Sequence, residues 1–234
     1  MEVHKKMRSV LEKGQWFAGL ETAHQDAILA GSTLRTYRDR QTINREDTQA
    51  LGLCAVIEGQ VSLIRHVLED RQLLVHVAGP GFWFGELSTL SDYLPAVTSV
   101  SRGDSQVLIL PVAEFNRICD ADPSFFRACA QLALQRYALV TRLLAQSQWL
   151  PKEAYLRIRL ADLVDLWRMD NDGDSPIDVS ISQSDLAAMI GTSRQTVNAL
   201  LQRLENAGLI KVRFRKIRVL DPDRLRGGHP KTGL

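Results

Sequence analysis

Residues 183–209 read QSDLAAMIGTSRQTVNALLQRLENAGL, and Gln183, Ala187, Gly191, Val197 and Leu200 fall in them as Q-x3-A-x3-G-x5-V-x2-L. Each position has a steric reason within a helix-turn-helix. Ala187 is small where a second helix crosses close over the first. Gly191 supplies the positive φ that a tight turn between steeply crossing helices needs. Val197 and Leu200 share one face of the second helix, and Leu186 and Ile190 face them from the first. Ser182-x-x-Asp185 and Thr192-x-x-Gln195 each fit a capping box at a predicted helix start. A plain αα-hairpin would explain the apolar positions but not the polar face that accompanies them.

That face carries Ser193, Arg194, Gln195, Asn198 and Gln202, gathered toward the N-terminal half of the second helix. Arginine can donate bidentately to guanine, and glutamine or asparagine can pair with adenine. A recognition helix places its N-terminal residues deepest in the major groove, where Thr192, Arg194 and Gln195 would sit. Gln195 has an alternative: held in the capping box, it would serve stability instead of readout. Downstream, IKVRFRKIRVL (210–220) alternates apolar Ile210, Val212, Phe214, Ile217 and Val219 with basic Lys211, Arg213, Arg215, Lys216 and Arg218. The alternation predicts a β-hairpin wing with cations along one side, suited to phosphate. The competing reading is a sheet edge guarded by charge.

Charge is distributed to match. Residues 180–234 hold ten Lys/Arg against four Asp/Glu, whereas residues 1–179 hold nineteen against twenty-three. A basic C-terminal module on an acidic body is the footprint of one domain facing a polyanion. The length of 234 residues fits two domains, and 45% hydrophobic content fits buried cores. No apolar run is long enough for a membrane span, and the N-terminal MEVHKKMRSVLEKGQWF lacks the apolar stretch of a signal peptide. Cys54, Cys119 and Cys129 are few and scattered, as in a reducing cytoplasm, and predict no metal site. G-x-S-x-G, a Walker loop and H-E-x-x-H are all missing, so an enzyme is not expected.

Between Ser32 and Leu110 the chain offers short β-rich runs: 53–58 (LCAVIE), 60–67 (QVSLIRHV), 72–77 (QLLVHV) and 106–110 (QVLIL). Gly59 separates the first two, and Gly79-Pro80-Gly81 marks a turn after the third. Such spacing predicts a sandwich or barrel-like roll. Asp122-Pro123-Ser124 then opens a long helix, with proline at an early position where its missing N–H costs nothing. Phe126, Ala130, Ala133, Tyr137, Val140 and Leu144 recur at heptad spacing, beside a second stripe of Phe125, Cys129, Leu132, Leu139 and Leu143. One stripe can pack on the roll while the other pairs with a second copy; alternatively both are core within one chain. A dimer suits the DNA module, since symmetric pairs bind half-sites about 34 Å apart.

The order of roll, long helix and winged helix-turn-helix resembles the Crp/Fnr family of bacterial transcription regulators over roughly residues 15–225. The most specific pieces are ISQSDLAAMIGTSRQTVNALLQRLENAGLI (181–210) and GPGFWFGELSTL (79–90). The second is similar to the phosphate-binding cassette of cyclic-nucleotide-binding rolls. The resemblance implies that Gly85 is the cassette glycine and that Glu86 accepts a ribose 2′-hydroxyl. It carries DNA reading to Arg194, Gln195, Asn198 and Ala199, where Ala199 leaves only contact with a thymine methyl.

Departures from the family pattern bear on the effector. Nucleotide-binding members place an Arg-Ser pair on the cyclic phosphate, and the matching positions here are Leu94-Pro95. Leucine cannot neutralise a phosphate and proline lacks an amide donor, so cAMP binding is not expected. On the long helix, Thr141 is the polar residue nearest the adenine-contacting position. Three scattered cysteines do not make an iron–sulfur site. A haem ligated by His66 or His76, or an organic effector among Leu87, Leu90, Tyr93 and Leu94, stays open, and no cofactor is predicted.

These readings converge on an α+β protein: a sensory jelly-roll-like β-roll (1–120), a dimerisation helix (121–150), a winged helix-turn-helix (151–226) and a flexible tail (227–234). The expected function is a cytoplasmic, homodimeric regulator that binds a palindromic operator in double-stranded DNA, with RNA polymerase a further candidate partner and no membrane. An effector-independent regulator, or a bare ligand-binding module, is the alternative.

Overall fold

A computed structural model describes residues 2–68, 71–168, 176–213 and 216–227. Three helices come first: α1 (Glu2–Leu11), α2 (Gln15–Ala18) and α3 (Thr22–Gly31). The roll follows as β1 (Thr33–Tyr37), β2 (Thr42–Asn44), β3 (Gly52–Leu68), β4 (Arg71–Ala78), β5 (Trp83–Phe84), α4 (Glu86–Leu90) and β6 (Thr98–Pro111). After it come α5 (Val112–Ala121) and the 27-residue α6 (Pro123–Trp149). The C-terminal part holds α7 (Lys152–Arg168), β7 (Ile177–Val179), α8 (Gln183–Ile190), α9 (Arg194–Asn206), β8 (Ile210–Arg213), β9 (Lys216–Val219) and α10 (Pro222–Arg226). The chain forms two compact units, and the division is not linear. Among the described residues, those of 2–65 and 77–138 group together, while those of 66–76 group with those of 139–227.

The strands of the roll form a sheet in the order β1-β6-β3-β4, with β2 on β6 and β5 on β3; all of it belongs to the first unit except the described residues of 66–76 in β3 and β4. Two expected strands, 53–58 and 60–67, are one 17-residue strand. Gly59 does not end it but bulges it: the register against β6 shifts on either side of Glu58, and Gly59 takes φ 75°. A Cβ there would lie 2.4 Å from the Asp104 carbonyl oxygen, so only glycine lets the bulge close. Likewise β6 runs from Thr98, well before the expected Gln106.

Ahead of the strands, the N-terminal region opens with the three helices α1–α3. Leu11, Phe17 and Ile28 are fully buried beside Trp83, Phe115 and Phe125 in one core cluster. A separate cluster of Tyr37, Val56, Val61, Phe84 and Val107 fills the roll. The stripe Phe125, Cys129 and Leu132 of α6 is buried in the first cluster. The neighbouring stripe is not: Tyr137 is 71% exposed, Val140 53% and Leu144 60%. Phe126 is exposed too, and Ala130 and Ala133 are half-buried.

In the second unit, Leu156, Leu160 and Val164 of α7 are buried, as are Leu186 and Ile190 of α8 and Val197, Leu201 and Leu204 of α9. A three-stranded sheet, β7-β9-β8, completes it. Among the described residues no helix is long and apolar enough to cross a membrane.

Candidate nucleic-acid interface

Helix α8 is fixed at both ends. The Ser182 hydroxyl accepts from the Asp185 amide at 3.0 Å and the Asp185 carboxylate accepts from the Ser182 amide at 3.1 Å, a closed capping box. At its other end Gly191 is left-handed (φ 63°, ψ 52°), and the Thr192 amide donates to the Ala187 carbonyl. The ammonium of Lys152 donates to the Ile190 carbonyl at 3.0 Å, satisfying one of the orphan acceptors of the helix end.

The second cap differs from the one expected. Ser193, not Thr192, caps α9, accepting from the Thr196 amide at 3.1 Å. Thr192 belongs to the turn and is half-buried. With the cap one residue later, Gln195 leaves the capping role and is exposed. The outward face of α9 therefore presents Arg194, Gln195, Asn198, Ala199 and Gln202, all exposed, while Val197, Leu200, Leu201 and Leu204 turn inward.

Asn198 is not an unconstrained reader. The Gln183 side-chain amide donates to its Oδ1 at 3.1 Å. The acceptor half of Asn198 is thus engaged, leaving its NH2 outward as a donor. Paired adenine recognition needs both halves, so this contact disfavours it. Sequence reasoning named both residues but missed their contact, because they are fifteen positions apart on different helices.

Strand register explains the wing. Pairing of Lys211 with Arg218 and of Arg213 with Lys216 puts four cations on one face. Val212, Ile217 and Val219 turn away, and Ile217 and Val219 are buried. Lys211 and Arg213 are exposed. Arg218 is withdrawn from the expected phosphate-facing set: it binds Asp178 of β7 bidentately at 2.6 and 3.0 Å. That hydrogen bond, helped by Arg213 and Lys216, holds the Asp178 carboxyl below its ordinary range. The three-residue β7 that brings Asp178 opposite is too short to show a period in the sequence. Phe214 and Arg215, read as part of the wing, lie outside the described residues, as do residues 228–234 of the tail.

The effector candidates occupy the first unit, apart from Thr141, His66 and His76, which belong to the second. Gly85 has φ 90° and starts α4, with a virtual Cβ only 2.6 Å from the Gly52 carbonyl oxygen. Burial pushes the Glu86 carboxyl above its ordinary value, partly offset by the nearby Arg136 and by a hydrogen bond from its own amide. Arg136 was missed. It lies on α6 at the position between Leu132 and Leu139 where the buried stripe should carry an apolar residue, and a charge in that slot is the signal. Its guanidinium donates to the Trp83 carbonyl at 3.1 Å and stacks 4.0 Å over the Phe82 ring. Leu87, Tyr93 and Leu94 are exposed and Pro95 is buried. Thr141 is exposed on α6. His76 is buried, and the His66 ring lies 3.1 Å from the Gln72 amide.

Two domain families match the chain: a cyclic nucleotide-binding domain over residues 34–122 and a Crp-like helix-turn-helix domain over residues 158–227. The chain is similar to the cyclic AMP receptor protein of Thermus thermophilus, with 26% identity over 199 residues, covering 84% of this chain and 88% of the relative. It is 22% identical over 220 residues to the CRP-like cAMP-activated global transcriptional regulator of Mycobacterium tuberculosis, covering 94% and 98% of the two chains. The fold is shared with the c-di-GMP-responsive regulator CLP of Xanthomonas campestris (TM-score 0.70, 22% identity, 86% of this chain and 100% of that one). It is also shared with FixK2 of Bradyrhizobium japonicum (TM-score 0.70, 17% identity, 84% and 96%). With one match over the roll and the other over the helix-turn-helix, the chain belongs to the Crp/Fnr family of bacterial transcription regulators.

Proposed function

We propose that the protein is a cytoplasmic homodimer that binds palindromic duplex DNA through α9 and the wing, and responds to an effector other than cAMP. The observation that carries the reading is the outward face of α9. Arg194, Gln195, Asn198 and Ala199 stand exposed on a helix whose opposite side is anchored in the core. Arg194 at the first turn is the candidate for a guanine contact, while Lys211 and Arg213 supply phosphate contacts that carry no sequence information. Ser193, whose hydroxyl caps α9, is the residue through which the backbone enters the groove.

A twofold pair of such modules needs a dimer seam, and the exposed stripe of α6 is suited to a second copy of itself. Cyclic AMP is the effector named for the Thermus and mycobacterial relatives. The present chain keeps Gly85 and Glu86 but has an exposed leucine and a buried proline where the phosphate clamp would be. Neither side chain can pair with an anion.

The test is an electrophoretic mobility shift with a randomised duplex pool at several salt concentrations, with and without cAMP. Sequence-selective binding that falls steeply with salt and ignores cAMP is expected. Binding that is absent at every salt concentration, or that appears only with cAMP, refutes the reading.

A further inference from the structure

A cavity of about 350 Å³ lies within the second unit. Its walls are largely aliphatic: Leu73 and Val75 from β4, Val140, Leu143 and Leu144 from α6, and Met189 from α8. Gly191, in the turn that leads into α9, closes one side. The only charged residues of its lining are two cations of α7, Lys152 and Arg159; among the described residues no carboxylate lines it. Arg159 is the anomaly. It is only 4% exposed, its Nη2 donates to the Val75 carbonyl at 2.8 Å, and its buried Nε has no hydrogen-bond partner among the described residues. Nor does any described carboxylate form an ion pair with it. A desolvated guanidinium with an open Nε and no described carboxylate paired to it is costly, and an anion that reaches it recovers that cost.

We propose that this cavity is a binding site for a small apolar monocarboxylate, its tail among the aliphatic walls and its carboxylate on Arg159, with Lys152 at the rim. The volume is at the lower end of ligand pockets and suits an acid of roughly ten carbons. Charge decides against the other natural occupant, the α6 of a second copy. That helix reads PSFFRACAQLALQRYALVTRLLAQSQW and contains no acidic residue, so it can cover Val140 and Leu144 but cannot neutralise Arg159. An occupant here would touch both the C-terminal half of α6 and the α8–α9 turn. A ligand with different affinity for two arrangements of that turn would shift the presentation of α9.

Isothermal titration calorimetry of the full chain with decanoate, 4-phenylbutyrate and 1-decanol tests the site. At least one acid should bind saturably, one per chain, and decanol on the order of tenfold more weakly than decanoate because it lacks the charge. The tighter of the two acids distinguishes a fatty from an aromatic ligand. Arg159→Met should weaken the acid about tenfold. Because that buried position can also affect folding, Ser147→Phe provides a second variant. Ser147 lines the cavity from the surface of α6, and the larger ring should abolish acid binding while leaving mobility-shift activity on DNA intact. No saturable heat with either acid, decanol equal to decanoate, or binding that survives Ser147→Phe overturns the proposal. The DNA readout stands apart, so failure of the cavity site and failure of the DNA-binding reading are separable.

Discussion

At the scale of single residues, the interface divides into side chains that select and side chains that attract. Arg194→Ala should cost about 1–3 kcal/mol against the preferred base pair at one position of each half-site, and much less against sequences lacking it. Lys211→Ala should weaken all sequences alike and reduce the slope of log affinity against log salt by about one unit per contact. Competition binding over a base-by-base library separates the two. Unchanged preference in Arg194→Ala removes Arg194 from the reading set. The Gln183–Asn198 contact adds a subtler prediction. With its acceptor engaged, Asn198 offers only N–H donors, so guanine or thymine acceptors suit it better than adenine. Gln183→Leu frees the amide to rotate, and preference at that base pair should move toward adenine. If the same library shows no shift, the contact does not constrain readout.

At the scale of elements, capping accounts both for what the sequence made legible and for one slip. The Ser182/Asp185 box and the proline opening α6 were readable because they are local and their partners lie within one turn. The cap of α9 was misplaced by one residue because Thr192 and Ser193 are adjacent hydroxyls, each with a suitable amide ahead. Only the path of the turn, set by Gly191, decides for Ser193. Helix α2 spans four residues and β5 two, too short for any period to show. Ser182→Ala should lower stability by about 1 kcal/mol, seen as a lower denaturation midpoint with an unchanged m-value. The start of α6 makes an acid-side prediction. Asp122 accepts from the Ser124 hydroxyl at 2.7 Å and amide at 2.9 Å and from the His24 ring at 2.8 Å, which together hold its pKa at about 2. The folded value is depressed, so this stabilisation is complete above the unfolded carboxyl's ordinary value near 3.8 and disappears as pH falls toward 2. The Tm of Asp122→Asn should lie below that of the parent at neutral pH and converge with it near pH 2. Parallel curves over that range would exclude the cap as the cause.

At the scale of the molecule, the charge split and the two stripes of α6 were visible because each is a property of a contiguous stretch. The association of residues 66–76 with the C-terminal half was not. It rests on contacts such as Arg159 to the Val75 carbonyl, between segments eighty-four positions apart, and these leave no periodic trace. The stripes bear on assembly. Phe125, Cys129 and Leu132 are within 2% of full burial, whereas Val140 is 53% and Leu144 60% exposed on the neighbouring stripe of the same helix. Burying one such aliphatic side chain is worth about 1.5–3 kcal/mol, and twofold symmetry counts every position twice. Set against an association cost of about 4–15 kcal/mol, a seam of several residues is sufficient for a stable pair. Placing a carboxylate at Val140 puts two like charges across the seam, because a parallel pair sets each position beside itself. Val140→Asp should therefore sediment as a monomer at concentrations where the parent is a dimer. Its thermal unfolding should match that of the parent diluted to the monomer and lose its dependence on protein concentration, since the position is exposed within one chain and only the dimer contribution is removed. Its preference for a full palindrome over an isolated half-site should vanish, since each recognition helix then binds alone. A variant that remains dimeric, or a monomer that still favours the palindrome, would mean that the two DNA-binding modules are joined by a surface other than this stripe.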